Sequence, residues 1–201
     1  MVQALLAGFA MGASLIVAIG VQNALLLRIG LRRDHVGIAV LICILGDITL
    51  IGAGVAGLGT VLVHARLLSE ILRWAGVAYL GVFAVRTLRQ AWRGGESLVS
   101  TDEPLARRSV LLSITAATFL NPHVYIDTVV LLGTISSHYP AHHWWFGVGA
   151  GCASVIWFSS LGFGARLLRP LFSKEVTWRA LDVVVGVVVG LVALSLVFSG
   201  N

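Results

Sequence analysis

The sequence predicts an all-α integral membrane protein with six transmembrane helices, arranged as two inverted three-helix repeats in which helices 1 and 4 are broken. Three observations support this prediction. Of the 201 residues, 58% are hydrophobic and 11% are charged, whereas soluble domains carry about 25% charged residues. Apolar runs of about 18 residues or more, long enough to cross a bilayer, recur along the chain. Two of these runs contain a polar, helix-breaking cluster, and the clusters lie about half the chain apart.

Short connections separate the six predicted helices, which cover residues 2–27, 36–63, 67–91, 108–137, 143–168 and 178–199. The exception is residues 92–107, which are polar, contain glycine and carry charges of both signs, as expected of a solvated linker. This linker separates a first repeat, residues 1–91, from a second, residues 108–201, within one transmembrane domain. Because each repeat holds three spans, the two lie in opposite orientations, as in many transporters.

The first helix lies in an uncharged run, residues 1–27. No basic segment precedes its apolar stretch, so we expect a retained span and not a cleaved signal peptide. Gly20, Gln22 and Asn23 interrupt the run. Backbone within a bilayer must satisfy its own hydrogen bonds, so a broken helix is tolerated only where it packs in protein or lines a cavity. We therefore predict that these three residues line a substrate cavity.

The second helix carries Asp47 near its middle, and the third is predicted from its apolar run. A carboxylate at mid-bilayer costs about 2.5–3.5 kcal/mol on insertion scales and usually faces the interior, where it marks a substrate or proton path. The alternative is a carboxylate that pairs with an arginine or caps exposed backbone at a helix break. We favour the functional interpretation.

The fourth helix is interrupted at Asn121-Pro122, which is a helix-start signature. Asn caps free backbone N–H groups, and Pro is favoured at the first helical position. The N-terminus of a half-helix presents bare N–H groups and a partial positive charge, which suits a carboxylate ligand. Gln22-Asn23 can act similarly in the first helix.

Asp127 follows this second break and lies four residues after His123, so their side chains share a helix face. Tyr125 and Thr128 lie on the face of Asn121. A span with two polar faces is expected to line a cavity. The alternative is a fixed His123–Asp127 pair near the membrane surface.

The fifth and sixth helices complete the second repeat. Trp144 and Trp145 follow an uncharged connection, residues 137–143, and fit an aromatic belt at the membrane interface. That connection also holds His138, His142 and His143. We expect these histidines to be solvated, with a metal site as the alternative.

Two glycine patterns and two cysteines indicate how the helices pack. Gly8-xxx-Gly12 and Gly186-xxx-Gly190 fit close helix packing, either within the bundle or between the subunits of a homodimer. Cys43 and Cys152 lie in apolar runs without a paired motif, so we predict neither disulfide nor zinc site, but small buried packing residues.

Orientation follows from the basic residues. They concentrate in the first, third and fifth connections: Arg28, Arg32, Arg33, Arg86, Arg89, Arg93, Arg107, Arg108, Arg166, Arg169, Lys174 and Arg179. The remaining connections hold only Arg66 and Arg73. Cytoplasmic loops carry such an excess, so we expect both termini outside the cell and the Arg-rich loops inside. The rival topology has five spans and an internal N-terminus. The same placement explains the basic excess without a nucleic-acid partner.

Together these residues predict a secondary transporter with one site of two polarities. Helix ends would hold an anionic group, and Asp47 and Asp127 would hold a cationic group or carry a coupling proton. An amino acid has both groups, and a basic amino acid has an additional cation. The chain contains neither an HExxH motif nor a GxSxG elbow, which argues against an intramembrane hydrolase, and no cofactor is predicted. A non-transporting scaffold would gain nothing from paired acids and breaks.

Residues 12–59, 121–133 (NPHVYIDTVVLLG) and 157–168 resemble the lysine/arginine exporter family, and the second segment resembles its basic-amino-acid branch more than the neutral homoserine/threonine branch. The resemblance implies a small exporter of the bacterial inner membrane, driven by the membrane potential or proton gradient. The family's polar break corresponds to Gly20, Gln22 and Asn23, its acidic positions to Asp47 and Asp127, and its Asn-Pro to Asn121 and Pro122. Val21 stands where the family often has Pro, which predicts a less sharply broken first helix.

The expected substrate is L-lysine, L-arginine or both, exported by alternating access, with antiport of a proton as one form of coupling. The predicted binding residues are Gly20, Gln22, Asn23, Asp47, Asn121, Pro122, Tyr125, Asp127 and Thr128. The alternative is export of another small solute, either a neutral amino acid or a divalent cation. The sequence leaves open the preference between lysine and arginine, the coupling ion and the oligomeric state.

Overall fold

The computed structural model describes residues 1–17, 20–58, 66–93, 106–168, 170 and 175–198, and all regular structure in these ranges is helical. The helices are α1 (Val2–Ile16), α2 (Val21–Arg32), α3 (Val36–Ala53), α4 (Arg66–Arg93), α5 (Arg107–Phe119), α6 (Pro122–Tyr125), α7 (Leu132–Ser136), α8 (His143–Leu168) and α9 (Glu175–Phe198). Two further segments extend this set: Gly54–Leu58 continues α3 and contains a kink at Gly57 (φ 91°), and the π-helical segment Ile126–Leu131 joins α6 to α7.

Three helices within the described ranges are long and apolar enough to cross a membrane: Val36–Leu58, His143–Leu168 and Val176–Phe198. The bent pair α1–α2 counts as a fourth if it forms one broken span. The chain is thus an all-helical, multi-pass membrane protein. The predicted third helix is present as α4, which has 28 residues. Most of the predicted linker, residues 94–105, lies outside the described residues, as do residues 59–63 of the predicted second helix.

The first break is sharp. α1 and α2 are bent by 78° relative to each other, and Gly20 lies between them in an extended conformation (φ −114°, ψ −178°). This bend is present although Val21 stands where the resembled family often has Pro. An extended residue before the first turn is the usual way for a helix to begin, and α2 starts at Val21 with Gly20 as its N-cap.

The second break lies where the sequence predicts it. α5 ends at Phe119, Leu120 leaves helical geometry (φ −94°, ψ 1°), and α6 begins at Pro122. The backbone then widens at Ile126, where the π-helical segment begins. The prediction for the side-chain faces of residues 121–128 assumed an α-helix throughout. The predicted His123–Asp127 pair depends on a His123 side chain that lies outside the described part of the structure.

Glycines allow α1 and α8 to pack backbone against backbone. A β-carbon at Gly8 would overlap the Phe146 carbonyl, and one at Gly149 would overlap the Leu5 carbonyl. On the opposite side of the fold, α9 packs along α4, with Gly186 against Leu88. Both glycine patterns identified in the sequence therefore contribute to packing within the chain.

We expect Gly149→Ala to lower the melting temperature of the detergent-solubilised protein by several degrees. The added methyl group meets the Leu5 carbonyl across α1, and overpacking of this kind costs about 1–3 kcal/mol. The matched control is Gly164→Ala in the same helix, where a β-carbon meets nothing within 4 Å. Both variants share the gain in helix propensity of alanine over glycine. Equal melting temperatures for the two would contradict the packing assignment.

The structure confirms some predictions about individual residues and contradicts others. Cys43 is buried as expected, but the prediction for Cys152 is wrong, because α8 presents that side chain at the apolar exterior. Trp144 and Trp145 are exposed, as an interfacial belt requires. Arg28, which the sequence assigned to a connection, lies inside α2.

Candidate functional site

A cavity of about 220 Å³ lies where the two helix breaks meet. Its polar lining residues are Gln22, Asn23, Asp47, Asn121, Asp127 and Thr128. Apolar side chains that include Val124, Phe158 and Val192 close the remaining walls. The cavity is smaller than the roughly 300–1,000 Å³ of pockets that take drug-sized ligands, so it suits a small solute.

The first break is closed by a side chain of its own helix. The Asn23 side-chain amide donates from Nδ2 to the carbonyl oxygen of Ile16, the last residue of α1, at 2.7 Å. Trp157 of α8 donates its indole N–H to Asn23 Oδ1 at 3.2 Å. A helix C-terminus leaves carbonyl groups without partners, and Asn23 satisfies one of them.

The second break uses the same arrangement. The Tyr125 hydroxyl donates to the carbonyl oxygen of Phe119, the last residue of α5, at 2.8 Å. Thr128 donates to the Val124 carbonyl at 2.5 Å, within its own helix. In both breaks, a polar side chain six or seven residues downstream reaches back to the end of the preceding helix.

Gln22 presents an unused hydrogen-bond donor. The residue is 7% exposed and lines the cavity. Among the described residues, its Nε2 atom has no hydrogen-bond partner. A buried polar group without a partner costs free energy, and a ligand carboxylate or carbonyl oxygen would supply the missing acceptor.

Two carboxylates give the cavity its charge. Asp47 is 3% exposed, and its Oδ2 atom accepts a hydrogen bond from the Ser154 hydroxyl at 2.9 Å. Asp127 lines the same cavity and is half-buried. No Lys or Arg of the described ranges lines it, so the site favours a cationic group. The alternative in which Asp47 pairs with an arginine is not the geometry found, because its partner is Ser154.

The structure thus brings together most of the predicted site residues: Gly20, Gln22, Asn23, Asp47, Asn121, Asp127 and Thr128 all line the cavity. Tyr125 lies at the break but is not a lining residue, and Pro122 is described only as the start of α6. Ser154 and Trp157 were not predicted, because no sequence signal shows which residues of one helix face Asp47 and Asn23.

A separate charged cluster lies between α2, α4 and α9. Arg28 contacts Asp182 at 2.6 Å, and their side chains are 20% and 3% exposed. Arg28 also donates to Gln90 at 3.3 Å and lies over the Trp178 ring at 5.7 Å. Asp182 could have been found in the sequence by the rule that identified Asp47, since it is also an acid inside an apolar run.

Comparison with known proteins gives one family. The model of the LysE type translocator family matches residues 13–200. The lysine exporter LysE of Corynebacterium diphtheriae is 35% identical over 222 residues, which cover 96% of this chain and 97% of the relative. A Mycobacterium tuberculosis protein whose name assigns it provisionally as an amino-acid transporter is 43% identical over 185 residues, covering 91% and 92%. The similarly named YggA of Aeromonas salmonicida is 40% identical over 197 residues, covering 95% and 94%. No solved structure matches the chain.

Proposed function

The chain belongs to the LysE type translocator family, and from this premise we propose that it exports basic L-amino acids, lysine, arginine or both, from the cytoplasm by alternating access. Its family and its relatives make it an amino-acid transporter and not an enzyme. The relative named as a lysine exporter supports lysine as the substrate.

The observation that carries the proposal is the charge of the cavity. Asp47 and Asp127 both line it, and no described Lys or Arg does. Charges inside a membrane are costly and usually pair with a partner. For Asp47, whose hydrogen-bond partner is the neutral Ser154 hydroxyl, the ammonium group of lysine or the guanidinium group of arginine would provide a charged partner, and a neutral side chain would not.

The backbone carboxylate of the substrate requires hydrogen-bond donors in the same cavity. Gln22 supplies an unpaired amide N–H group, and the N-terminus of α2 begins at the adjacent Val21. α2 is 12 residues long, which gives it the partial positive charge that attracts anions. We assign the carboxylate to the α2 break because the Gln22 amide without a partner lies there.

We further propose six spans in two inverted repeats. Both breaks use a downstream polar side chain to satisfy the preceding helix end, which supports a repeated unit. The elements that such a repeat would relate also pack against each other: α3 against α8, and α4 against α9. In this topology both termini lie outside, and the Arg-rich connections lie on the cytoplasmic side of the bacterial inner membrane.

Export would proceed by rocking of one repeat against the other around the cavity, as in other transporters with this architecture. The proton gradient or the membrane potential would drive it. Asp47 and Asp127 are the candidates for proton coupling, because each is an ionisable group at the cavity wall. Proton antiport would have a carboxylate bind either the substrate cation or the returning proton.

The test is efflux of lysine and arginine from cells loaded with dipeptides that contain these residues. We expect rapid efflux from cells that express the wild type and strongly reduced efflux with Asp127→Asn at matched expression. Asp34→Asn is the control, because it makes the same chemical change outside the cavity lining. If wild-type cells release neither amino acid faster than cells without the protein, the proposed substrate is wrong.

The two carboxylates also favour a second candidate, since carboxylate oxygens are ligands for divalent cations. A neutral amino acid is the further alternative, because two of the relatives are named only as amino-acid transporters. Competition separates these cases. Unlabelled arginine should inhibit lysine export, whereas inhibition by manganese or threonine alone would favour the corresponding alternative.

A further inference from the structure

Two side chains of α8 bind residues of the site without lining the cavity themselves. Ser154 and Trp157 are three residues apart on α8, so they share a helix face. Neither lines the cavity, although Phe158 beside them does. Each nevertheless makes a direct hydrogen bond to a lining residue, Ser154 to Asp47 and Trp157 to Asn23.

The Ser154 hydroxyl donates its hydrogen bond to the Asp47 carboxylate. A serine has one hydroxyl proton to donate. Its oxygen lies 2.9 Å from Asp47 Oδ2 and 3.4 Å from the Ala150 carbonyl of its own helix. The shorter contact is the one to the carboxylate. Ser154 is fully buried, so water does not take its place, and the bond fixes one oxygen of Asp47 and leaves the other for a ligand.

The Trp157 indole fixes the orientation of Asn23. An indole N–H group only donates, so Asn23 must turn its Oδ1 atom towards Trp157. Its Nδ2 atom then points to the Ile16 carbonyl, where it closes the first break at 2.7 Å. Without the indole donor, the Asn23 amide loses the hydrogen bond that orients it, and the break beside Gln22 loosens.

We propose that Ser154 and Trp157 are positioning residues for transport, with separate effects. Ser154 aligns Asp47 for the cation of the substrate side chain, and Trp157 aligns the broken α1–α2 backbone for the part common to all amino acids. The proposal rests on the proposed function of the cavity. It adds that specificity for a basic side chain depends on a residue that the substrate does not touch.

The test compares lysine with norleucine, which has a similar side chain without the ammonium group. Binding to the purified protein in detergent is measured for each ligand. With Ser154→Ala, we expect the Kd of lysine to rise about 10- to 100-fold, the range for losing a hydrogen bond to a charged group. The Kd of norleucine should change less than about two-fold, so discrimination between the ligands falls.

With Trp157→Phe, the Kd values of lysine and norleucine should rise together, by about 2- to 12-fold, the range for a neutral hydrogen bond. The control is Ser136→Ala, since Ser136 is equally buried but bonds only the Gly133 carbonyl of its own helix. Ser154→Cys, which keeps a weak donor, should restore part of the discrimination. A merely structural role would lower the melting temperature without changing the ratio of the two Kd values.

The outcomes separate this proposal from the proposed function. A wild type that binds neither lysine nor arginine would overturn the function, and the assignment of both residues with it. Normal wild-type binding with an unchanged lysine to norleucine ratio in Ser154→Ala would overturn the role of Ser154 alone. Unequal effects of Trp157→Phe on the two ligands would overturn the role assigned to Trp157.

Discussion

Asp47→Asn is expected to weaken lysine binding and export by roughly 30- to 4,000-fold, the equivalent of the about 2–5 kcal/mol lost when one partner of a desolvated charge pair is removed. Asparagine has the same size as aspartate and still offers an oxygen to the Ser154 hydroxyl, which lies 2.9 Å from the carboxylate. The substitution therefore removes the charge and little else. Transport is measured in proteoliposomes at matched protein content.

Two controls make the result specific. Asp34→Asn removes a carboxylate outside the cavity lining and should retain wild-type export. Asp47→Glu keeps the charge but lengthens the side chain in a site that is 3% exposed, so export should be reduced but measurable. If Asp47→Asn exports lysine at the wild-type rate, the carboxylate has no role in binding the cation.

Arg28→Gln is expected to destabilise the protein by about 3 kcal/mol, because removing one partner of a buried ion pair costs about 3–5 kcal/mol. The partner that loses this ion pair is Asp182, whose side chain is 3% exposed. The lower end of the range applies because Arg28 itself is 20% exposed. The melting temperature in detergent should fall by several degrees.

The double replacement Arg28→Met with Asp182→Leu should recover most of the lost stability. A buried ion pair exchanged for apolar residues of similar volume is often neutral or stabilising, and the Trp178 ring beside Arg28 provides an apolar neighbour. The control pair is Arg73–Glu70, in which the glutamate is 44% exposed. Such surface pairs contribute about 0–1 kcal/mol, so Glu70→Gln should leave the melting temperature unchanged. A wild-type melting temperature for Arg28→Gln would contradict the structural role of the buried pair.

The helix positions follow from the sequence wherever its signals are local. α8 has the predicted bounds, and α9 begins three residues earlier than predicted. The second break occurs at Asn121-Pro122, where the fixed proline φ favours the start of a helix. Asp47 and Asp127 were identifiable because a charge within an apolar run is costly wherever its helix packs.

The remaining features depend on which helices face each other. Serine and tryptophan are unremarkable within an apolar helix, so Ser154 and Trp157 acquire meaning only when α8 is placed against Asp47 and Asn23. Arg28 was assigned to a connection because it ends an apolar run, and its partner Asp182 lies in the last helix of the chain. The π-helical segment at Ile126–Leu131 was not predicted either, and its close packing against Gly54 joins it to a helix distant in the sequence.

The hydrogen bond that closes each helix break joins residues close in the sequence, and this affects the order in which the site assembles during synthesis. Asn23 satisfies the Ile16 carbonyl, and Tyr125 satisfies the Phe119 carbonyl, each within seven residues of chain. The hydrogen bond across each bend is therefore local to its own segment and needs no distant helix to form. The bonds from Ser154 and Trp157 join residues more than a hundred positions apart. The backbone of the site is thus shaped early, and its polar groups are aligned only when the fifth predicted span arrives.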